Sequence, residues 1–370
     1  MVQRDQYAVR QLFPYDRHIA LARALNDIVN RWPNITPLIS AVDVVGNELD
    51  EPNWVFIPAL QEVRDNPTNE IRLTCHAGEH FSWPLQGIRS IGELLRPTRV
   101  VDRIGHALAL DPVCADFITG PAVPQYGARA VLDDLCWLAS ADLACEAAIG
   151  FAERLVGWLG MNERGLLFSD FVEAWKARRS TRDIAERFGL TAGATPPSEM
   201  PGGYASRLRG TALALALLMY RGPVPGFEVL DSLLPERLAS EYSALNDSVL
   251  ETVADSVLGW IVQEGIVIES CPTSNMTLAG LPRPRYLPLI RWVREGATVT
   301  VSSDDPTHFS TRVADEVEIL RAVLSEAELR SVLKSSLENC HPAGRRWDGG
   351  LMERLAAAAR DDAWGIVQLT

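Results

Sequence analysis

Three short apolar runs, each stopping abruptly in polar residues, set the pattern of this chain. Positions 71–75 (Ile-Arg-Leu-Thr-Cys) lead into His76, Ala77, Gly78 and Glu79. Positions 266–271 (Ile-Val-Ile-Glu-Ser-Cys) lead into Pro272, Thr273, Ser274 and Asn275, and 297–301 (Ala-Thr-Val-Thr-Val) into Ser302, Ser303, Asp304, Asp305 and Pro306. Their β-branched content and short length predict buried strands rather than fragments of helix. Two further runs, 41–45 and 100–104, end in Gly46-Asn47-Glu48 and Gly105-His106 and bring the set to five. Helical patterns lie between them. Val249, Val253, Val257 and Ile261 share one face over 247–262, and 288–295 and 315–325 read as short amphipathic helices. Strand, polar terminus, helix, strand is the rhythm of a parallel α/β fold.

The rhythm breaks once. From 110 to 245 the pattern gives helices and no strand: 129–159 is rich in Ala, Leu and Trp, 168–187 is charged and helical, and 204–220 is apolar. A stretch concentrated in Gly, Pro, Ser and Thr, 189–203, reads as a loop. We read 111–245 as a helical insertion that interrupts an α/β unit made of 1–110 and 246–370. Trp137, Trp158 and Trp175 are then expected to form a core of the insertion itself or a subunit interface.

Composition narrows the field of functions. With 47% hydrophobic and 22% charged residues, the 370-residue chain can bury a core, which excludes wholesale disorder. Its net charge of −13 argues against general binding to nucleic acid or to anionic membranes. No apolar run approaches the ~20 residues that span a bilayer. Charges near Met1 interrupt what a signal peptide would need as an apolar segment, so the expected location is the cytoplasm. Six cysteines without a Cys-x-x-Cys pair read as reduced thiols.

The candidate chemistry is positional. His76, Glu79, His106, Asp304 and Asp305 all follow the ends of predicted strands. In α/β barrels the catalytic side chains come from the C-terminal ends of different strands, where the loops converge on one mouth. The strings themselves go further. His-Ala-Gly-Glu at 76–79, Arg-Ile-Gly-His at 103–106, Cys-Pro-Thr-Ser-Asn at 271–275 and Ser-Ser-Asp-Asp-Pro at 302–306 occur in this order. Together they resemble the adenosine deaminase family of zinc aminohydrolases. Positions 44–48 resemble that family's strand-end glycine segment and 333–339 its late helix. The resemblance covers about 35–110 and 246–345.

This resemblance implies an α/β fold: an incomplete TIM-like (β/α) barrel holding strands four to eight of the family pattern, with a large helical insertion. It implies zinc-dependent hydrolytic deamination of an adenine-containing nucleoside or nucleotide. His76 and Asp304 would be zinc ligands. Glu79 would protonate a ring nitrogen, while His106 would orient and deprotonate the attacking water. Asp305 would hydrogen-bond another ring nitrogen, and the Gly46 backbone would lie against the base. The His-x-Glu and Pro-Cys-x-x-Cys signatures of the other zinc deaminases are absent.

Family barrels open with a His-x-His strand that supplies two more ligands. The six histidines here, His18, His76, His80, His106, His308 and His341, form no such pair. Two ligands fall short of the three protein ligands usual at a catalytic zinc ion. The resemblance therefore implies that the missing strands come from a complementary chain, a second copy or a segment upstream. The alternative is an inactive deaminase-like scaffold or binding subunit, as in phage-defence assemblies. His18 and His341 read as packing residues, His80 as a residue lining the mouth, and His308 as a candidate contact for substrate or phosphate. Arg283, Arg285 and Arg312 are candidate phosphate contacts against a default of surface solvation. Glu48, Asn53 and Trp54 are candidates for either ligand contact or packing.

Overall fold

The computed structural model describes residues 2–31, 41–68, 71–96, 99–119, 125–178 and 228–339. The five apolar runs become five strands: β1 (Ala41–Val44), β2 (Arg72–Ala77), β3 (Arg103–His106), β4 (Val267–Ser270) and β5 (Thr298–Val301). They form one parallel sheet in the order β1-β2-β3-β4-β5. A sequential order without reversal is that of a (β/α) barrel, not of a doubly wound sheet, whose order reverses at a switch point. The five strands do not close on themselves. The fold is a partial TIM-like barrel.

Two strands depart from the sequence pattern by more than one residue, each for a local reason. β2 continues through His76 and Ala77, because His76 pairs with Gly105 and Ala77 with His106 across the ladder. β3 begins at Arg103 and not at Val100, because Asp102 turns its side chain back to accept the Leu73 N–H at 2.9 Å. Val100 and Val101 are nonetheless fully buried ahead of the strand.

Helices α1 (Val2–Arg31) and α2 (Ile57–Arg64) flank β1, with Ile19, Ala22 and Val29 of α1 buried. Helix α3 (Pro84–Leu95) crosses from β2 to β3 and is buried on nearly all sides. Its second cover comes from the segment between β3 and β4, where the described residues form α4 (Pro112–Thr119), α5 (Ala128–Ser140), α6 (Glu146–Trp158), α7 (Phe168–Ala177) and the long α8 (Glu236–Glu264). Among the described residues this segment has no strand, only an isolated antiparallel bridge between Gly127 and Leu233. The stretches 189–203 and 204–220 lie outside the described residues. After β4 come α9 (Pro272–Leu278) and α10 (Leu289–Arg294). After β5 come α11 (Pro306–Phe309), α12 (Val313–Arg321) and α13 (Glu326–Glu338).

Trp137 and Trp175 do not form a separate core. Both are buried in the one apolar cluster that includes α3 and the strands. Trp137 lies so close to Gly92 of α3 that a Cβ there would come within 2.3 Å of its ring. Trp158 is 39% exposed and joins neither. The junction also buries charge. Arg89 of α3 pairs with Asp134 of α5 at 2.5 Å, and Arg178 pairs with Glu93 at 2.6 Å while stacking between the rings of Trp54 and Trp175. Buried ions are tolerated only when paired and hydrogen-bonded, and Asp134 also accepts from Trp83 Nε1 and Tyr242 Oη.

The two sheet edges are treated differently. At β5, the outward Val301 N–H donates to Ser336 Oγ of α13 at 3.0 Å, so a helix covers that edge. At β1, no strand among the described residues pairs on the outer side. An apolar groove of about 380 Å³ runs beside it, walled by Leu21 and Leu25 of α1, Val42 and Val44 of β1, and Phe56 and Leu60.

Asp102 links this frame to pH. It pairs with Arg64 and Arg99 at 3.1 Å each, besides taking the Leu73 N–H. Burial opposes its charge, but the N–H and the two guanidinium groups prevail and hold its carboxyl below the ordinary aspartate value. A depressed folded pKa gives stability that is present above the unfolded value of about 3.9 and is lost as pH falls through the folded value. Asp102→Asn should cost about 2 kcal/mol at pH 7 and should flatten the acid limb of stability. Urea denaturation at neutral and acid pH reads both effects; an unchanged midpoint at pH 7 would show that this cluster contributes nothing.

Candidate metal and catalytic site

The C-terminal ends of β2, β3 and β5 bring four of the six sequence-predicted residues together. His76, the penultimate residue of β2, meets His106, the last of β3, edge to face with ring centroids 4.8 Å apart. Gly105 makes room for this approach: a Cβ at that position would lie 2.5 Å from His76 Cδ2. The backbone bends sharply at two of the site residues. His106 has φ 62° and Asp304 has φ 56°, the left-handed region that residues with a Cβ avoid. Such strain, about 1–3 kcal/mol per residue, persists only where the surroundings enforce it.

His106 is held most firmly. It is 1% exposed, and its Nδ1 lies 2.7 Å from Oδ1 of the fully buried Asn275. With the amide oxygen as acceptor, Nδ1 carries the hydrogen and, in the neutral ring, Nε2 keeps its lone pair. The Asn275 Nδ2 donates to Ser270 Oγ at 3.4 Å. His106 Nε2 faces Glu79 Oε1 at 3.6 Å and Asp304 Oδ2 at 3.9 Å. The other Glu79 oxygen, Oε2, lies 3.9 Å from His76 Nδ1 and 3.5 Å from His80 Nδ1. His76 Nε2 points the opposite way, toward Asp43 Oδ2 of β1 at 3.5 Å. Burial opposes protonation of His76, yet the carboxylates of Asp43, Glu79 and Glu269 together lift its pKa above the ordinary histidine value.

These donors are suited to a metal ion. His76, Glu79 and His106 form one set, and His106, Cys271 and Asp304 a second, with the donor atoms of each set within 4.8 Å of one another. Imidazole nitrogen, carboxylate oxygen and thiol sulfur are the ligand types of zinc. The residues present therefore fit a zinc ion.

The remaining predicted residues sit at the rim. Asp305 is exposed, and its Oδ1 accepts the backbone N–H groups of Thr307 and His308 at 2.9 Å each, capping α11. The His308 N–H and the Thr307 contacts hold its carboxyl below the ordinary range. Gly46 follows the end of β1, with φ 148° and open space where a Cβ would stand. His308 is exposed and rests edge-on against Phe309. Arg283, Arg285 and Arg312 are exposed as well, Arg285 lying over the Tyr286 ring. His18 packs on Phe56 with ring centroids 4.3 Å apart. His341 lies outside the described residues.

Sequence reasoning left the role of Glu48 open between ligand contact and packing; the structure gives it a third. Its buried carboxylate accepts the backbone N–H groups of Gly78, Glu79 and His80 at 3.0, 2.8 and 3.1 Å. It also takes the Ser90 hydroxyl and an Asn53 amide hydrogen. Burial pushes its carboxyl up, and these donors pull it back. Glu48 thus holds the loop that carries Glu79. Asn53 supports it, donating also to the His76 carbonyl at 3.2 Å. Trp54 serves packing, under the Arg178 guanidinium. The importance of Asn275 was legible only as one letter of a motif, because its partner His106 is 169 positions away.

A parallel sheet in barrel order thus brings imidazoles, carboxylates and a thiol together at its C-terminal end. The adenosine deaminase family model matches residues 223–346, which contain Cys271, Asn275, Asp304 and Asp305; His76, Glu79 and His106 lie before the matched stretch. The chain is similar to adenine deaminase of Rhizobium meliloti (strain 1021), at 32% identity over 131 residues, 34% of this chain and 38% of that protein. It is also similar to adenine deaminase of Sinorhizobium medicae (strain WSM419), at 32% identity over 151 residues, 39% of this chain and 43% of the relative. The matched part spans about two fifths of these relatives. The resemblance to the adenosine deaminase family read from the motifs is thus found independently, for the C-terminal part of the barrel.

Gly105 offers a direct check of the geometry. Gly105→Ala should displace the His76 ring and cost about 1–3 kcal/mol through overpacking. Histidine ring NMR spectra should show the His76 signals moving while those of His18 stay; a stationary His76 would refute the close approach.

Proposed function

We propose that this chain is the C-terminal part of a zinc-dependent hydrolase that deaminates an adenine-type substrate. One observation carries the reading. A buried imidazole with its lone pair fixed by Asn275 faces both Glu79 and Asp304 at one strand-end mouth. Hydrolytic deamination adds water to the ring carbon bearing the amine, puts a proton on the adjacent ring nitrogen, and releases ammonia. A bound zinc ion supplies acidity to water, lowering its pKa to about 7. In this reading His76 and Asp304 hold the ion and His106 Nε2 takes the proton from the attacking water. Glu79, only 9% exposed at its side chain, delivers a proton to the ring nitrogen. Asp305 hydrogen-bonds another ring nitrogen of the base, and Gly46 presents its backbone to the ring.

The same reading includes a partner that supplies the remaining imidazole ligands. What supports it is the contrast between the edges: Ser336 takes the Val301 N–H at the β5 edge, while among the described residues no strand pairs with the outer side of β1, which lies beside an apolar groove. Exposed edges of this kind invite strand addition. Free, buried Cys75, Cys114, Cys136 and Cys271 suit a reducing cytoplasm. Segment 111–245 then acts as an insertion that braces the barrel from behind α3.

The test is ammonia release from adenine, adenosine and its nucleotides by the protein purified from its own cells with its accompanying chains. Zinc chelation should abolish release, and Glu79→Gln should lower kcat by about 10²–10⁴-fold without changing the zinc content. Unchanged turnover would remove Glu79 from its role. If the zinc-loaded assembly releases no ammonia from any of these substrates, the second reading, a non-catalytic binding subunit, takes its place.

A further inference from the structure

The second donor set holds a residue for which the proposed reaction has no use. Cys271 is buried at the end of β4, and its Sγ lies within 4.8 Å of donor atoms of both His106 and Asp304. The three residues come from the ends of three adjacent strands, β3, β4 and β5, so the sheet itself sets their spacing. His106 Nε2 is aimed into this space, and its nearest carboxylate oxygens, at 3.6 and 3.9 Å, are beyond hydrogen-bonding distance. Its ring is locked from the far side by Asn275, so Nε2 cannot turn to another partner.

We propose that His106, Cys271 and Asp304 form a thiolate-containing site for a zinc-class divalent ion within this chain alone. The proposal rests on the metal-centre reading above but changes the ligands. Neutral imidazole, thiolate and carboxylate around a divalent ion sum to zero charge, which is what a mostly buried site requires. Three protein ligands, one of them sulfur, select zinc or cobalt over magnesium or calcium, which prefer oxygen alone. Binding replaces the S–H bond by a metal–sulfur bond, and the thiol proton leaves to solvent, one per ion. Nε2 has a single lone pair. When it ligates the ion it cannot act as a base, so the chain loaded in this way is a resting form.

Cobalt(II) serves as the probe, added to the purified full chain and followed by absorption. The expected result is one cobalt per chain, with a thiolate-to-cobalt charge-transfer band and release of one proton. The band should be lost in Cys271→Ser and kept in Cys75→Ser. If Cys271→Ser does not fold, zinc-edge X-ray absorption of the unaltered protein decides, since one sulfur at about 2.3 Å from zinc is expected. Cobalt bound without a thiolate band, or a band that survives Cys271→Ser, overturns this proposal and leaves the His76–Asp304 reading standing. Absence of any cobalt or zinc uptake by the isolated chain also overturns it, whereas the proposed reaction is judged separately by ammonia release from the native assembly.

Discussion

The site depends on one buried carboxylate. Glu48 leaves the end of β1 and takes the three consecutive N–H groups that the chain exposes as it turns off β2. Those groups would otherwise be buried donors without acceptors, each costing as much as a lost hydrogen bond. By accepting all three, Glu48 makes the loop at 78–80 rigid and joins two adjacent strands above the sheet. The conformation of Gly78 is part of the same constraint. Its φ of +69° suits glycine, and a Cβ there would fall 2.5 Å from Ile91. Glu79 can therefore present its carboxylate to His76 and His106 from a fixed base.

Support for this arrangement comes from behind. α3 follows the Glu79 loop and would, in a plain barrel, show one face to solvent. Here α5, α7 and α8 cover that face, and α3 places Arg89 and Glu93 among Asp134, Arg178 and the Trp rings. Paired buried ions contribute little net stability compared with an apolar core, but removing one partner strands the other at several kcal/mol. The helices between β3 and β4 are thereby tied to one orientation against α3. Ser90, on the same helix, hydrogen-bonds to Glu48. A continuous chain of contacts thus runs from these helices through α3 to the loop of the site.

The mouth is acidic on all sides. Asp43, Glu79, Glu269 and Asp304 stand around two imidazoles, and the net effect on His76 is to favour its charged form. A divalent cation would relieve this repulsion more fully than protonation, since it answers several carboxylates at once. Asp43 occupies β1, which among the described residues has no strand on its outer side, so the electrostatic demand falls at that end of the sheet.

Much of this was legible in the amino-acid sequence. Short β-branched runs marked all five strands, and in β2 to β5 burial on both faces leaves a near-continuous apolar signature. The polar residues at their ends marked His76, Glu79, His106 and Asp304, because barrel strands deliver functional groups at their C-terminal ends. What local pattern could not carry were the relations between distant segments. Whether Glu48 touches a ligand or a loop, that Asn275 sets the His106 tautomer, that Trp137 packs on Gly92, and that Cys271 faces His106 all depend on how parallel strands align side by side. Sequence determined which elements form and where their chemistry sits, since those follow from local periodicity and residue type. Tertiary structure decided which lone pair faces which acid, because strand register and the left-handed turns at His106 and Asp304 fix direction only once the sheet has assembled.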